Sequence, residues 1–233
     1  MDRILYLVKT FFSRLNLLFE RYWVESFSQE GEDMLLRKIF ENSKPGFYVD
    51  VGAHHPQKFS NTYYFYKRNW VGINIDAAPG SMKQFNILRK RDINVEAAVS
   101  NEAGELTFYM FEEPALNTLD KDLAKQRLAE KKNKLTGEIK VQTETLADIL
   151  TEHMPSNREI DFLSVDVEGF DLEVLTSNDW QKFRPKFVVV ECFGKGKFEE
   201  IISDNTYIFL SAMNYSLYAK TINTCIFKDN LKK

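Results

Sequence analysis

The chain has 233 residues, 44% of them apolar, so one sizeable hydrophobic core is within its means. Its 31 Lys and Arg against 34 Asp and Glu leave a net charge of −3, which offers no basic footprint for nucleic acid. Two distant cysteines, Cys192 and Cys225, lack metal-ligand spacing and fit a reducing compartment as buried apolar residues.

The N-terminal stretch MDRILYLVKTFFSRLNLLFERYW carries apolar residues at helical spacing, interrupted by Arg3, Lys9, Arg14 and Arg21. It is too charged for a signal peptide or a membrane span. The expectation is an amphipathic helical arm over 1–27, packed on the domain or on a second copy. A second reading is peripheral membrane contact through residues 1–24. The corresponding location is cytoplasmic, with the inner face of a membrane as the variant.

A domain over 28–233 follows. EGEDMLLRKIFE (30–41) predicts a helix ended by Pro45 and Gly46. FYVDV (47–51) predicts a buried strand, NTYYFYKRNW (61–70) a helix, and VGINID (71–76) a second strand. Pro79 and Gly80 open a helix to about Leu88. INVEAAVS (93–100) predicts a third strand, and ELTFYMF (105–111) alternates as an edge or hairpin strand does. Residues 112–138 are charged and read as an exposed insertion or lid with weak core contact.

EIKVQT (138–143) predicts a short strand and TLADILTEHM (145–154) a helix. IDFLSVDV (160–167) and KFVVVECF (186–193) predict two further buried strands, with a helix from about Phe170 to Leu175 between them. A helix near 197–213 precedes two closing strands, YSLYAK and TCIFKD, spaced as an antiparallel hairpin. Strands alternating with helices point to a doubly wound α/β domain.

In such a sheet, ligands sit outside the carboxyl ends of the strands. The first exit, YVDVGAHHP, has one glycine where a dinucleotide fingerprint needs three, so His54, His55 and Pro56 would crowd a pyrophosphate. A nucleoside ligand without phosphates suits Gly52 better. Asp76, ending the second strand, stands where a carboxylate can accept two ribose hydroxyls; capping of the next helix is the alternative. FLSVDVEGFDLEVL (162–175) sets Asp166 and Glu168 two apart at a strand exit, with Glu191 at the end of the neighbouring strand. Alternation puts Asp166 and Glu168 on one side. Three readings stay open: one is a general base, the three acids hold a Mg²⁺-type divalent cation, or Asp166 touches cofactor while Glu168 caps a helix. His54 and His55 are further candidate bases.

These stretches, with SQEGED (28–33) ahead of them, resemble the FkbM family of S-adenosylmethionine-dependent methyltransferases over residues 28 to about 228. The resemblance implies a class I methyltransferase fold, Rossmann-like, with a seven-stranded mostly parallel sheet, helices on both faces and the last strand antiparallel. It implies S-adenosylmethionine as cofactor, with Asp50, Gly52 and Ala53 at its methionine end, Asp76 on the ribose, and Ala98 and Val99 near the adenine. Gln29, Glu32, Asn61 and Asp166 join that set. Family members often carry Glu where Asp76 stands. The activity implied is O-methylation of a hydroxyl on a glycan, glycan precursor or related natural product. The alternatives are N-methylation of an amine or peptide, and a non-catalytic module of a glycan assembly complex.

Overall fold

The structure, a computed structural model, describes residues 23–130, 132–192 and 198–232. Residues 1–22, which carry most of the expected amphipathic arm and its membrane or self-association role, lie outside the described residues. Among the described residues no helix is long and apolar enough to cross a membrane.

Seven strands form the main sheet: β1 (Phe47–Val51), β2 (Val71–Asp76), β3 (Ile93–Glu96), β7 (Phe162–Val165), β8 (Phe187–Glu191), β9 (Tyr215–Lys220) and β10 (Thr224–Asp229). Their spatial order is β3-β2-β1-β7-β8-β10-β9. β1, β2, β3, β7 and β8 pair in parallel, and β10 runs antiparallel to both its neighbours. The expected terminal hairpin is thus β9–β10. Every residue of β1 and β7 is buried, as parallel strands covered on both faces require. Alternation sends Phe47, Val49 and Val51 into one core layer with Leu163, Val165 and Val190. Tyr48 goes into the opposite layer with Phe65, Trp70 and Phe162.

Helices cover both faces: α1 (Glu32–Ile39), α2 (Tyr63–Tyr66), α3 (Met82–Leu88), α4 (Lys121–Ala129), α5 (Leu146–His153), α6 (Asp171–Thr176), α7 (Phe198–Ile201) and α8 (Asn205–Ala212). The helix expected over 61–70 shrinks to the four residues of α2. The one expected over 197–213 divides, because Asp204 caps a new start by accepting from Thr206 N at 2.8 Å.

Two further expectations need correction. INVEAAVS is not one strand: β3 ends at Glu96, and Ala98–Val99 (β4) joins a second sheet of order β4-β6-β5. That sheet is built by a hairpin of β5 (Gly104–Phe111) and β6 (Leu135–Glu144), the latter longer than the strand expected over 138–143. The 112–138 segment is also more than an exposed insertion. Asp120 caps α4 by accepting from Asp122 N at 2.7 Å, and Thr118, Ala124 and Arg127 are buried. Its charge pattern hid this, since only one face of a short helix needs to be buried.

Candidate functional site

A cavity of about 760 Å³ opens at the carboxyl ends of β1, β2, β4 and β7, bounded on the far side by the β5–β6 hairpin. Gly52 forms its floor at φ 80°. A Cβ there would lie 1.8 Å from the backbone oxygen of Asp166. Only glycine allows the two strand exits to meet so closely. Gly52 N and Ala53 N both donate to Ile75 O, at 2.9 and 3.0 Å, which ties this turn to the end of β2.

Asp76 faces the cavity. One carboxylate oxygen accepts from His54 N at 2.9 Å, the other from Ala78 N at 2.8 Å. Each oxygen retains a lone pair. Burial raises its pKa, opposed by these backbone hydrogen bonds.

His54 and Glu168 both line the cavity and both have left-handed backbones, φ 52° and 55°. For residues with a Cβ this costs roughly 1–2 kcal/mol each, which the surrounding contacts must hold. Burial lowers the His54 pKa, so its ring is neutral near pH 7, lying 6.4 Å from Phe59 with planes 19° apart. The His55 Nδ1 accepts from Gln57 N at 3.1 Å and Lys58 N at 2.9 Å. A neutral imidazole accepting at Nδ1 carries its proton on Nε2. His55 is therefore occupied as the organiser of its own loop and has no lone pair left for a base.

β7 ends at Val165, so Asp166 and Glu168 lie beyond the strand and its alternation does not explain their common side. The turn does: Asp171 accepts from Val167 N and Gly169 N, each at 3.2 Å, and Gly169 takes φ 92°. The two acids then diverge. The Glu168 carboxylate pairs with Arg127 of α4, and its backbone oxygen accepts from Thr118 Oγ1 at 2.7 Å. Arg127 also donates to Leu116 O at 2.5 Å. Asp166 has no hydrogen-bond partner for its carboxyl among the described residues. Asp166 is exposed and lines the cavity. Burial, then the charges of Glu191, Glu168, Asp171 and Glu32, push its pKa well above the usual carboxylate range.

Of the other expected residues, Gln29 and Val99 line the cavity. Glu32, Asp50, Ala53, Asn61, Ala98 and Glu191 do not. Asp50 points into the opposite layer, accepting from Thr62 Oγ1 at 2.8 Å. It belongs to a buried set around Arg89, which donates to Tyr48 OH, Thr62 Oγ1 and Pro56 O and so anchors the site loop from behind. Asn61 donates to Ser164 Oγ at 3.1 Å, Glu32 accepts from Thr224 Oγ1 at 3.0 Å, and Ala53 packs with Met82 and Phe85. Among the described residues no group of acids, histidines and cysteines converges as a metal site. Asp166, Glu168 and Glu191 therefore fail as a ligand set: Arg127 occupies Glu168, and Glu191 stands off the cavity wall.

Sequence reasoning missed the hairpin wall, including Phe108, Met110 and Ile139, and the Arg127 latch. The alternation of ELTFYMF was visible, but its partner face in β6 was needed to show where it pointed.

A comparison with curated proteins returned no match. Among solved structures, the chain is similar to an FkbM methyltransferase from Methylobacillus flagellatus, with TM-score 0.49 and 14% identity over 79% of this chain and 44% of that one. This chain thus spans less than half that protein's length. It is also similar to a TehB-like SAM-dependent methyltransferase from Corynebacterium glutamicum, with TM-score 0.43 and 9% identity over 95% of this chain and 97% of that one. The model of the methyltransferase FkbM domain matches residues 50–217, well over half of the chain. This protein belongs to the FkbM family of methyltransferases.

Proposed function

We propose that this methyltransferase binds S-adenosylmethionine along the exits of β1 and β2 and methylates a hydroxyl oxygen, with Asp166 as the general base. A glycan, glycan precursor or related natural product is the acceptor class that the family resemblance suggests.

The residues present fit the cofactor. Gly52 leaves the floor of the cavity free of a side chain, and Asp76 keeps a lone pair on each oxygen for ribose hydroxyls. When bound, S-adenosylmethionine supplies a methyl group on a sulfonium, already activated for displacement. The protein's task is then to align the acceptor and take its proton.

The observation that carries this reading is the unpartnered carboxyl of Asp166, a cavity-lining residue whose backbone oxygen packs against Gly52. Glu168 is a weaker candidate because its charge is committed to Arg127. Burial and the acids around it raise the Asp166 pKa, whereas a cation beside it favours the carboxylate. Its basic form thus belongs to the loaded state. Asp166 Oδ would accept the hydroxyl proton as the oxygen–carbon bond forms.

Calorimetry with S-adenosylhomocysteine tests the reading. Binding to the wild type is expected, with loss in Asp76→Ala. No binding to the wild type would overturn the cofactor assignment.

A further inference from the structure

The cavity has two unlike sides. Toward β1, β2 and β7 it presents backbone, histidines and the acids Asp76, Asp166 and Glu168. Toward the hairpin it presents Phe108, Met110, Phe111, Leu119 and Ile139. The register explains this wall. Leu106 faces Val141, Phe108 faces Ile139, and Met110 faces Gly137. Directly opposed residues share one face of a sheet, so the hairpin's apolar side is a single strip.

The strip runs between the two halves of the site. At one end β4 pairs with β6, Ala98 against Thr143, beside Val99 of the cavity wall. At the other, Tyr109 and Thr118 exchange backbone bonds of 2.9 and 3.1 Å, and the Thr118 hydroxyl donates to Glu168 O. The wall therefore ends against the turn that carries Asp166 and Glu168. α4 closes on the same turn: a Cβ on Gly169 would lie 2.9 Å from Leu123 Cδ2.

Among the described residues no lysine or arginine lines the cavity. The nearby guanidinium of Arg127 is committed to Glu168 and Leu116 O. Phosphate and carboxylate groups are normally held by arginine, lysine or clustered N–H donors. Here they would meet three acids instead.

We propose that the acceptor is a neutral hydroxyl compound with an apolar carbon skeleton and no phosphate or carboxylate. Its skeleton lies on the hairpin strip and its hydroxyl reaches Asp166. This rests on the transfer site read above, and narrows its acceptor class. A bare or phosphorylated sugar would leave the strip unused, whereas a sugar bearing an apolar substituent, or another hydroxylated apolar skeleton, would cover it.

The test uses the full chain saturated with S-adenosylhomocysteine and three probes measured by calorimetry: hexyl β-D-glucoside, glucose and glucose 6-phosphate. Hexyl glucoside is expected to bind roughly tenfold or more tightly than glucose, since each methylene placed in an apolar pocket adds discrimination. Glucose 6-phosphate is expected to bind weakest. Ile139→Lys, at a half-buried position of the strip, should weaken hexyl glucoside and strengthen glucose 6-phosphate. Leu119→Ser supplies the same loss of hexyl glucoside binding should the lysine variant not fold. The proposal is overturned if glucose or its phosphate matches hexyl glucoside, if no probe shows a preference, or if both variants leave hexyl glucoside binding unchanged. Failure of S-adenosylhomocysteine to bind is a different result, seen before any probe is added, and it sinks the cofactor reading itself.

Discussion

The Cβ that Gly52 lacks would sit 1.8 Å from the carbonyl oxygen of Asp166. The turn that ends β1 and the acid that follows β7 are therefore in direct backbone contact, and Asp166 N also donates to Val51 O at 3.0 Å. The cavity floor and the candidate base are joined through the backbone as one unit.

Gly52→Ala tests that unit. The substitution meets both the 1.8 Å overlap and the left-handed backbone at φ 80°. The backbone conformation alone costs roughly 1–2 kcal/mol, and relieving the overlap requires the two strand exits to part. Urea unfolding should show destabilisation above that range, with S-adenosylhomocysteine binding lost in whatever protein folds. A variant of wild-type stability and affinity would show that the close approach is not required.

Arg127 and Glu168 should behave as a coupled pair. Both are largely buried, and Arg127 bridges the insertion to the site turn. Arg127→Met leaves Glu168 without its guanidinium and removes the cation that lowers the Glu191 pKa. A double-mutant cycle with Glu168→Gln should give a coupling of roughly 0.5–3 kcal/mol in thermal or urea stability. Arg127→Met alone should also move the pH dependence of turnover, because one more acid then competes for protons around Asp166. A coupling near zero would mean that the pair merely coexists.

Stability should fall as pH rises. Burial pushes Asp171 up to about 7 and Glu191 up to about 8, the latter helped by Glu168 and Asp171. In the unfolded chain both titrate near 4. Between those values the folded state binds more protons than the unfolded state, so ∂ΔG/∂pH is negative. Their penalty is absent below about pH 4, grows through neutrality, and levels off above about 8. Glu191→Gln should therefore raise the melting temperature at pH 9 and leave it nearly unchanged at pH 4. The gain at high pH should be a few kcal/mol at most, reduced by the partial exposure of Glu191. A variant equally shifted at both pH values would contradict this assignment.

Asp166 makes a sharper electrostatic prediction. With its pKa raised by burial and acidic neighbours, it should release a proton when a sulfonium arrives beside it. Calorimetry in two buffers of different ionisation enthalpy reads this directly. S-adenosylmethionine should release protons at pH 7, S-adenosylhomocysteine, whose sulfur is uncharged, should release fewer, and Asp166→Asn should remove the difference. Equal release by both ligands would place the titrating group elsewhere.

Much of this was legible in the chain. FYVDV, VGINID, FLSV and FVVVE are mostly apolar runs that end in, or are followed by, glycine or an acid, and each is a buried strand paired in parallel with a neighbour. Gly52 and Asp76 were found because a strand's exit is a fixed place in such a fold, and both line the cavity. The resemblance set Asp50 at the cofactor, but alternation turns its side chain into the opposite layer, toward Thr62. His55 was kept as a base because its loop bonds to Gln57 and Lys58 cannot be seen in a string of letters.

The sequence by itself therefore determined the parallel sheet, its strand exits and the acids gathered there, since these follow from local apolar runs and their breaks. Only the tertiary structure decided which of Asp166 and Glu168 stays unpaired. Arg127 reaches Glu168 from a distant helix, and the hairpin strip turns its apolar side to the cavity only once β5 and β6 are in register. Such contacts join residues far apart in the chain, and their energies exist only after folding has brought the surfaces together.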